Sequence, residues 1–343
     1  MNLRAPIFSV LGLVALAVAA TFVPARRAPS VPPRATPPRA RVGLVFDVGG
    51  RGDKSFNDAA YEGLKRAEKE LDVETRFLEP SGAEDREAAL RLFAAEGMDL
   101  VIGVGFIFSS DVDAVARAHD RIHFACVDYA PGKDATPPNV LGLDFREEEG
   151  SFLVGAVAGA LSVTKQVGFV GGMTIPLIRK FEAGYGAGVH ATCPECTVHA
   201  GYAGSTPDAF KDPAKGKLLA MGQIAAGADV LFHASGSTGH GVFEAARERN
   251  RLAIGVDSDQ YDEMPGVIAT SMVKRVDVAV FEAIRSVLEG TFHGGIRRLG
   301  LAEGAVDYVH EGAHAAKLPP AVILRVEALR ADVIAGRIQV PSE

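Results

Sequence analysis

Val42-Gly-Leu-Val-Phe-Asp-Val-Gly-Gly-Arg-Gly-Asp-Lys-Ser-Phe-Asn-Asp-Ala-Ala-Tyr-Glu-Gly-Leu-Lys-Arg-Ala67 is the stretch that decides the fold. It opens with a short apolar run, Val42–Phe46, of the kind that forms a strand buried on both faces. A Gly-rich loop follows. The stretch then becomes helical, with Ala60, Leu64, Ala67 and Leu71 on one face at spacings of 4, 3 and 4. The same strand–turn–helix unit recurs. Strands are expected at Val73–Leu78, Leu100–Val104, His123–Val127 and Val140–Leu143, with helices near 84–96, 111–119 and 150–161. The second half repeats the scheme, with strands at Val167–Val170, Val198–Tyr202, Val230–His233, Ala253–Val256 and Val267–Thr270. Its helices are expected over Ile178–His190, from the Asp212-Pro213 cap to Ala226, and over Gly241–Arg249, Arg275–Leu288 and Pro320–Gly336.

Alternating βαβ units imply parallel sheets with helices on both faces. Two such runs predict an α/β protein of two flavodoxin-like or Rossmann-like lobes with a ligand cleft between them. Lobe 1 is expected to span 42–147, with about 268–300 returning to it. Lobe 2 is expected to span 148–267, with about 301–343 returning to it.

The 343 residues are 48% hydrophobic and 23% charged, enough for a large core and against disorder. Trp is absent, so a stacking site must use Phe or Tyr. Residues 1–41 hold six arginines and no acid, so the rest carries −13 of a net charge of −7. An acidic body argues against nucleic-acid binding, which needs a basic face.

Ile7–Val23 is an uncharged, mostly apolar stretch flanked by Arg4 and by Arg26-Arg27, with Ala17-Val18-Ala19 as a cleavage site. Residues 1–23 are therefore read as a secretory signal or, alternatively, an uncleaved membrane anchor. Residues 24–41, with six prolines among Ala and Arg, read as an extended linker, and folding is expected to start near Val42. Cys193-Pro-Glu-Cys196 in an exported chain reads as a local disulfide. The alternative is a zinc site with His190 and His199, but a second C-x-x-C at zinc-ribbon distance is missing.

Ligands of open parallel sheets bind beyond the carboxyl ends of the strands. Asp47, Asp128 and Asp257 each follow a strand there, and Ser235-Gly236 follows another. Any one Asp could simply cap a turn or helix. Three at equivalent positions point to a polar cleft for the hydroxyls and N–H groups of a neutral ligand. The loop Asp47–Asn57 matches neither G-x-x-x-x-G-K-[ST] nor G-x-G-x-x-G, so a phosphate cradle is not expected. Phe56 reads as a hydrophobic staple or as a stacking plate, with Asn57 beside it to read the edge of a ring. Lys274 reads equally as a ligand contact or as a solvated charge beside Arg275.

Gly43-Leu-Val-Phe-Asp47, Asp53-Lys-Ser-Phe-Asn57 and Tyr61-Glu-Gly63, taken together, resemble the opening of the basic membrane protein family. These are purine-nucleoside-binding proteins of bacterial ABC importers, with the type I periplasmic binding protein fold. Phe210-Lys-Asp-Pro-Ala-Lys-Gly-Lys217, Ala234-Ser-Gly-Ser-Thr-Gly-His-Gly241, Ile254-Gly-Val-Asp-Ser-Asp-Gln260, Thr270-Ser-Met-Val-Lys274 and Ile334–Pro341 resemble its later elements in order, so the likeness spans 42–341. The resemblance implies a purine between Phe56 and Phe210, with Asn57 and Asp128 at the base edge. It also implies that Asp47, Gly236, Asp257 and Lys274 hold the ribose.

It further implies a purine nucleoside of inosine, guanosine or adenosine type as ligand, an ABC permease as membrane partner, and a monomer. Most of the family are lipoproteins. No Cys precedes Cys126 here, so the expectation is a protein free in the periplasm or held to the outer face of the cytoplasmic membrane by Ile7–Val23. An alternative keeps the fold but makes it a ligand-binding ectodomain or periplasmic sensor for a nucleoside or sugar. An enzyme, such as a nucleoside hydrolase, would need a D-x-D-x-x-x-D-D cluster that is missing near the first strand. The chain is read as a binding protein without catalytic residues, cofactor or metal.

Overall fold

The computed structural model describes residues 38–80 and 82–343. The expected signal or anchor and nearly all of the linker lie outside the described residues. No helix among the described residues is long and apolar enough to cross a membrane.

The chain runs β1 (Ala40–Val45), α1 (Phe56–Glu70), β2 (Val73–Leu78), α2 (Ala83–Ala95), β3 (Leu100–Val104), α3 (Ser109–Ala118), β4 (His123–Val127) and β5 (Val140–Phe145). It continues α4 (Glu147–Leu161), β6 (Gln166–Met173), α5 (Pro176–Thr192), β7 (Thr197–Gly204), α6 (Pro213–Ala225), β8 (Val230–Ala234), α7 (Gly239–Glu248), β9 (Leu252–Asp257) and β10 (Ile268–Lys274). It closes with α8 (Val276–Leu288), β11 (Gly295–Leu299), β12 (Val306–Tyr308) and α9 (Pro320–Ile334).

These strands form two six-stranded sheets, ordered β11-β5-β4-β3-β1-β2 and β12-β10-β9-β8-β6-β7. The orders correspond strand for strand, so β3 and β4 of the first lobe match β8 and β9 of the second. β1 lies between β2 and β3, with Val42 opposite both Thr75 and Leu100. A central parallel strand is covered on both faces, which is why Val42, Leu44 and Val45 are all buried. α1 buries the face of Ala60, Leu64 and Ala67 that its spacing predicts. α4 is buried almost all round, because it packs under α5 and the edge of the second sheet.

Three expectations are corrected. Folding starts before Val42: Ala40 and Arg41 already pair with Val73 and Glu74, and the Arg41 N–H donates to Asp99 Oδ2 at 2.7 Å. The chain does not return to the first lobe at 268. Ile268–Lys274 lies beside β9 in the second sheet, and the return comes at Arg275, with α8 packing on α1. The second sheet is not all parallel, since β12 runs antiparallel to β10. β12 is reached from β11, at the edge of the first sheet, through residues 300–305.

The lobes are joined by three strands of chain, at Arg146, at Arg275 and between Leu299 and Val306. They are bound to one another: the Arg146 N–H donates to Leu299 O at 2.9 Å and the Arg275 N–H to Ala305 O at 2.8 Å. The Leu301 N–H donates to Glu149 Oε2 at 2.7 Å. Three short segments tied side by side thus connect the lobes.

Candidate functional site

The α1 N-terminus is built by Asp53, although Ser55 occupies the usual capping position. Asp53 is buried and accepts from the backbone N–H of Ser55 (3.0 Å), Asn57 (2.8 Å) and Asp58 (3.1 Å). That relieves orphan donors of the first turn. The Ser55 hydroxyl is thereby free for another partner. It donates across the cleft to Asp257 Oδ2 at 2.7 Å and approaches Val256 O at 3.1 Å. Ser258 Oγ donates back to Ser55 O at 3.2 Å. The two lobes thus meet directly at this point.

The Asn57 side chain is largely engaged within its own lobe. Its Oδ1 accepts from the Asp47 N–H at 3.0 Å and its Nδ2 donates to Asp53 Oδ2 at 3.1 Å. One N–H of the amide remains for another partner. Phe56 opens α1 immediately beside it.

Asp128 and Asp257 follow or end equivalent strands, β4 and β9, and both take left-handed backbone conformations, φ +57° and +65°. Asp tolerates that region better than most residues, and such strain concentrates at ligand sites. Lys274, at the end of β10, joins the lobes electrostatically. Its Nζ lies 2.6 Å from Asp128 Oδ1 and 3.0 Å from Glu147 Oε1. Glu147 is 0% exposed, and its other oxygen meets Lys180 Nζ at 3.2 Å. The ammonium also faces the rings of Phe56 and Phe145, both with centroids at 5.0 Å. Burial alone would favour neutral Lys274, but Asp128, Glu147 and Asp257 outweigh it and hold the lysine above its ordinary range. Burial likewise raises Asp128 to about 7, against the pull of Lys274. It raises Asp47 to about 7 despite the hydrogen bond from the Val48 N–H. Asp257 is raised by burial and restrained by Lys274 and Ser55.

On the second lobe, Phe210 ends a short 3₁₀ turn that Ser237 and Thr238 hold in place. Ser237 Oγ donates to Phe210 O at 3.1 Å, and Thr238 Oγ1 donates to Ala209 O at 2.8 Å. Gly236 is required between them. Its φ is +55°, and a Cβ there would stand 2.9 Å from Phe210 O.

Asp47, Phe56, Asn57, Asp128, Phe210, Gly236, Asp257 and Lys274 all line one cavity between the lobes. Phe106, Phe181, Leu177 and Ile178 supply further apolar wall. Four carboxylates line it (Asp47, Asp53, Asp128, Asp257), against Lys274 as the one cation among the described lining residues. Such a lining favours hydroxyl and N–H donors and disfavours phosphate. Three contributors are missing from the sequence reading: Asp53, Ser55 and Glu147. Asp53 and Ser55 lie within the quoted opening loop but look like ordinary turn residues. Glu147 opens a Glu-Glu-Glu run that reads as a helix-dipole complement.

The Cys193–Cys196 pair is a disulfide between α5 and β7, away from the cavity. The flanking histidines have other partners: His190 Nε2 lies 3.1 Å from Cys196 O, and His199 Nε2 lies 2.7 Å from Gln166 Oε1.

Residues 40–342 match the family described as Bmp, the PnrA-like ABC transporter substrate-binding proteins. A CD4+ T-cell-stimulating antigen of Listeria monocytogenes is 34% identical over 88% of both chains. An ABC transporter nucleoside-binding protein of Lactococcus lactis, BmpA, is 31% identical over 88% of this chain and 89% of its own. Among solved structures, an ABC transporter solute-binding protein of Aeropyrum pernix superposes with a TM-score of 0.78 at 32% identity, covering 89% of this chain and 94% of that one.

Proposed function

The chain belongs to the Bmp family of PnrA-like ABC transporter substrate-binding proteins, and on that premise we propose that it captures a purine nucleoside in the inter-lobe cleft and presents it to a membrane permease for import. The observation that carries this reading is the cavity itself. A phenylalanine from each lobe flanks a space edged by strand-end carboxylates. A purine stacked on an aromatic ring gains roughly 1–3 kcal/mol. A carboxylate oxygen that is left free accepts a ribose hydroxyl through a charge-assisted bond. Asp257 has one oxygen committed to Ser55, so its second oxygen is the one offered to a hydroxyl. The acidic lining opposes a phosphate, which selects a nucleoside over a nucleotide. The nucleoside-binding name of the Lactococcus relative supports the same class. This work takes place outside the cytoplasmic membrane, where substrate-binding proteins meet their permeases.

Calorimetry tests the reading. Protein unfolded and refolded to strip carried ligand is titrated with inosine, guanosine, adenosine, hypoxanthine, ribose and inosine monophosphate. Nucleosides are expected to bind at least about 100-fold more tightly than ribose or the nucleotide, the equivalent of about 2.7 kcal/mol. Ribose binding as tightly as inosine, or no heat with any nucleoside, would overturn the proposal.

A further inference from the structure

A buried chain of hydrogen bonds within the second lobe sets the polarity of one cleft hydroxyl. It starts at a group that can only donate. The Val256 backbone N–H lies 2.8 Å from Gln260 Oε1, which fixes the orientation of that amide. Gln260 is held in turn by its own N–H, which donates to Ser271 Oγ at 3.1 Å. The same Oε1 lies 3.2 Å from His233 Nε2. An amide oxygen only accepts, so Nε2 carries a hydrogen.

His233 is 0% exposed. Its ring packs against Phe243, centroids 5.0 Å apart, and fills the space that a Cβ on Gly239 would need. Burial, reinforced by nearby His240, pushes the imidazolium down to about 3. The ring is therefore neutral, with its single proton on Nε2 and a lone pair on Nδ1. Ser235 Oγ lies 3.3 Å from Nδ1. Ser235 must be the donor in that contact.

We infer that Ser235, whose proton is committed to His233, presents an acceptor-only oxygen to the cleft and there receives a hydrogen bond from a ligand hydroxyl. His233 and Gln260 are the positioning residues behind it. Ser235 is 1% exposed and lines the cavity at the end of β8. It neighbours Gly236, and β9 with Asp257 is the adjacent strand. The sugar side of the ligand is thus the source of the donor. The device discriminates by polarity: an ether or carbonyl oxygen at that point would face a lone pair and lose affinity. The identity of the ligand rests on the nucleoside reading, whereas the relay does not.

Two measurements test this. Long-range ¹H–¹⁵N correlation on histidine-labelled protein at neutral pH reads the imidazole tautomer. The His233 signal is assigned by its loss in His233→Asn. A neutral ring protonated on Nε2 is expected, and an Nδ1–H tautomer or an imidazolium would overturn the relay. Calorimetry then compares wild type and Ser235→Ala against inosine and its 2′-, 3′- and 5′-deoxy analogues. Ser235→Ala should weaken inosine about five- to tenfold and leave the affinity for one deoxy analogue unchanged. Equal losses for every analogue, or no loss for inosine, would remove Ser235 from the site. Wild type that binds no nucleoside would refute the nucleoside reading, while the tautomer still decides the relay.

Discussion

Lys274→Met removes the ammonium that lies 2.6 Å from Asp128 Oδ1, while keeping an apolar stem among Phe56, Phe145 and Phe181. Lys274 is 2% exposed, so the carboxylate it leaves behind is buried. Breaking a buried pair from one side costs about 3–5 kcal/mol. Two features of the site moderate that figure. Glu147 keeps Lys180 at 3.2 Å, so it is not orphaned. Asp128, raised by burial to about 7 even beside Lys274, can escape by taking up a proton.

The deficit must therefore depend on pH. The folded pKa of Asp128 lies above its unfolded value near 3.9. Its contribution to stability is complete below about pH 4 and is lost as pH rises through 7. Without Lys274 the folded value is higher still, so the loss continues to more alkaline pH. Each unit above 7 adds up to about 1.4 kcal/mol to the difference between variant and wild type. Urea unfolding of ligand-free protein should show a small deficit at pH 6, at most about 1 kcal/mol, and about 3 kcal/mol at pH 9. The same deficit at both pH values, or none at pH 9, would refute the account of Lys274 as the partner that keeps Asp128 ionised.

Phe56→Ala and Phe210→Ala should each weaken nucleoside binding by about 1–3 kcal/mol in calorimetry without unfolding the protein, and a normal affinity in either variant would break the sandwich. Asp257→Asn should weaken inosine strongly and hypoxanthine little, so an equal loss for both would take Asp257 out of the ribose site. Ser55→Ala removes the hydroxyl that reaches Asp257 across the cleft. Its nucleoside affinity should fall by about 1.5–3 kcal/mol, with unchanged binding ruling the latch out. Replacing Cys193 and Cys196 by Ser opens a very short loop, so thermal unfolding should report a loss of about 2 kcal/mol or less. Nucleoside affinity should be untouched, and a large fall would tie the disulfide to the cleft.

Much of the site is legible in the sequence because three of its carboxylates, Asp47, Asp128 and Asp257, obey a local rule: each stands where a parallel strand ends. Period and turn chemistry locate β4 and β9, and Asp128 and Asp257 follow from them. What such a rule cannot supply is the partner. Lys274 and Asp128 are 146 residues apart, and Ser55 and Asp257 are 202 apart. Each pair exists only because the two lobes close on each other. Ser55 and Asp53 show the difficulty most clearly. In sequence Ser55 is an ordinary capping residue, and its role across the cleft becomes possible because Asp53, two residues earlier, takes over the cap. Two of the edge strands, β11 and β12, are missed for a different reason. β11 reads Gly-Ile-Arg-Arg-Leu, and its exposed arginines suit a strand with one unpaired edge but erase the apolar run that marks a strand. The wrong return at 268 has another root. Both sheets take short apolar strands, so periodicity recognises β10 without saying which sheet it joins. That choice is made by its pairing with β9, and it is what sets Lys274 on the second lobe, opposite the Asp128 of the first.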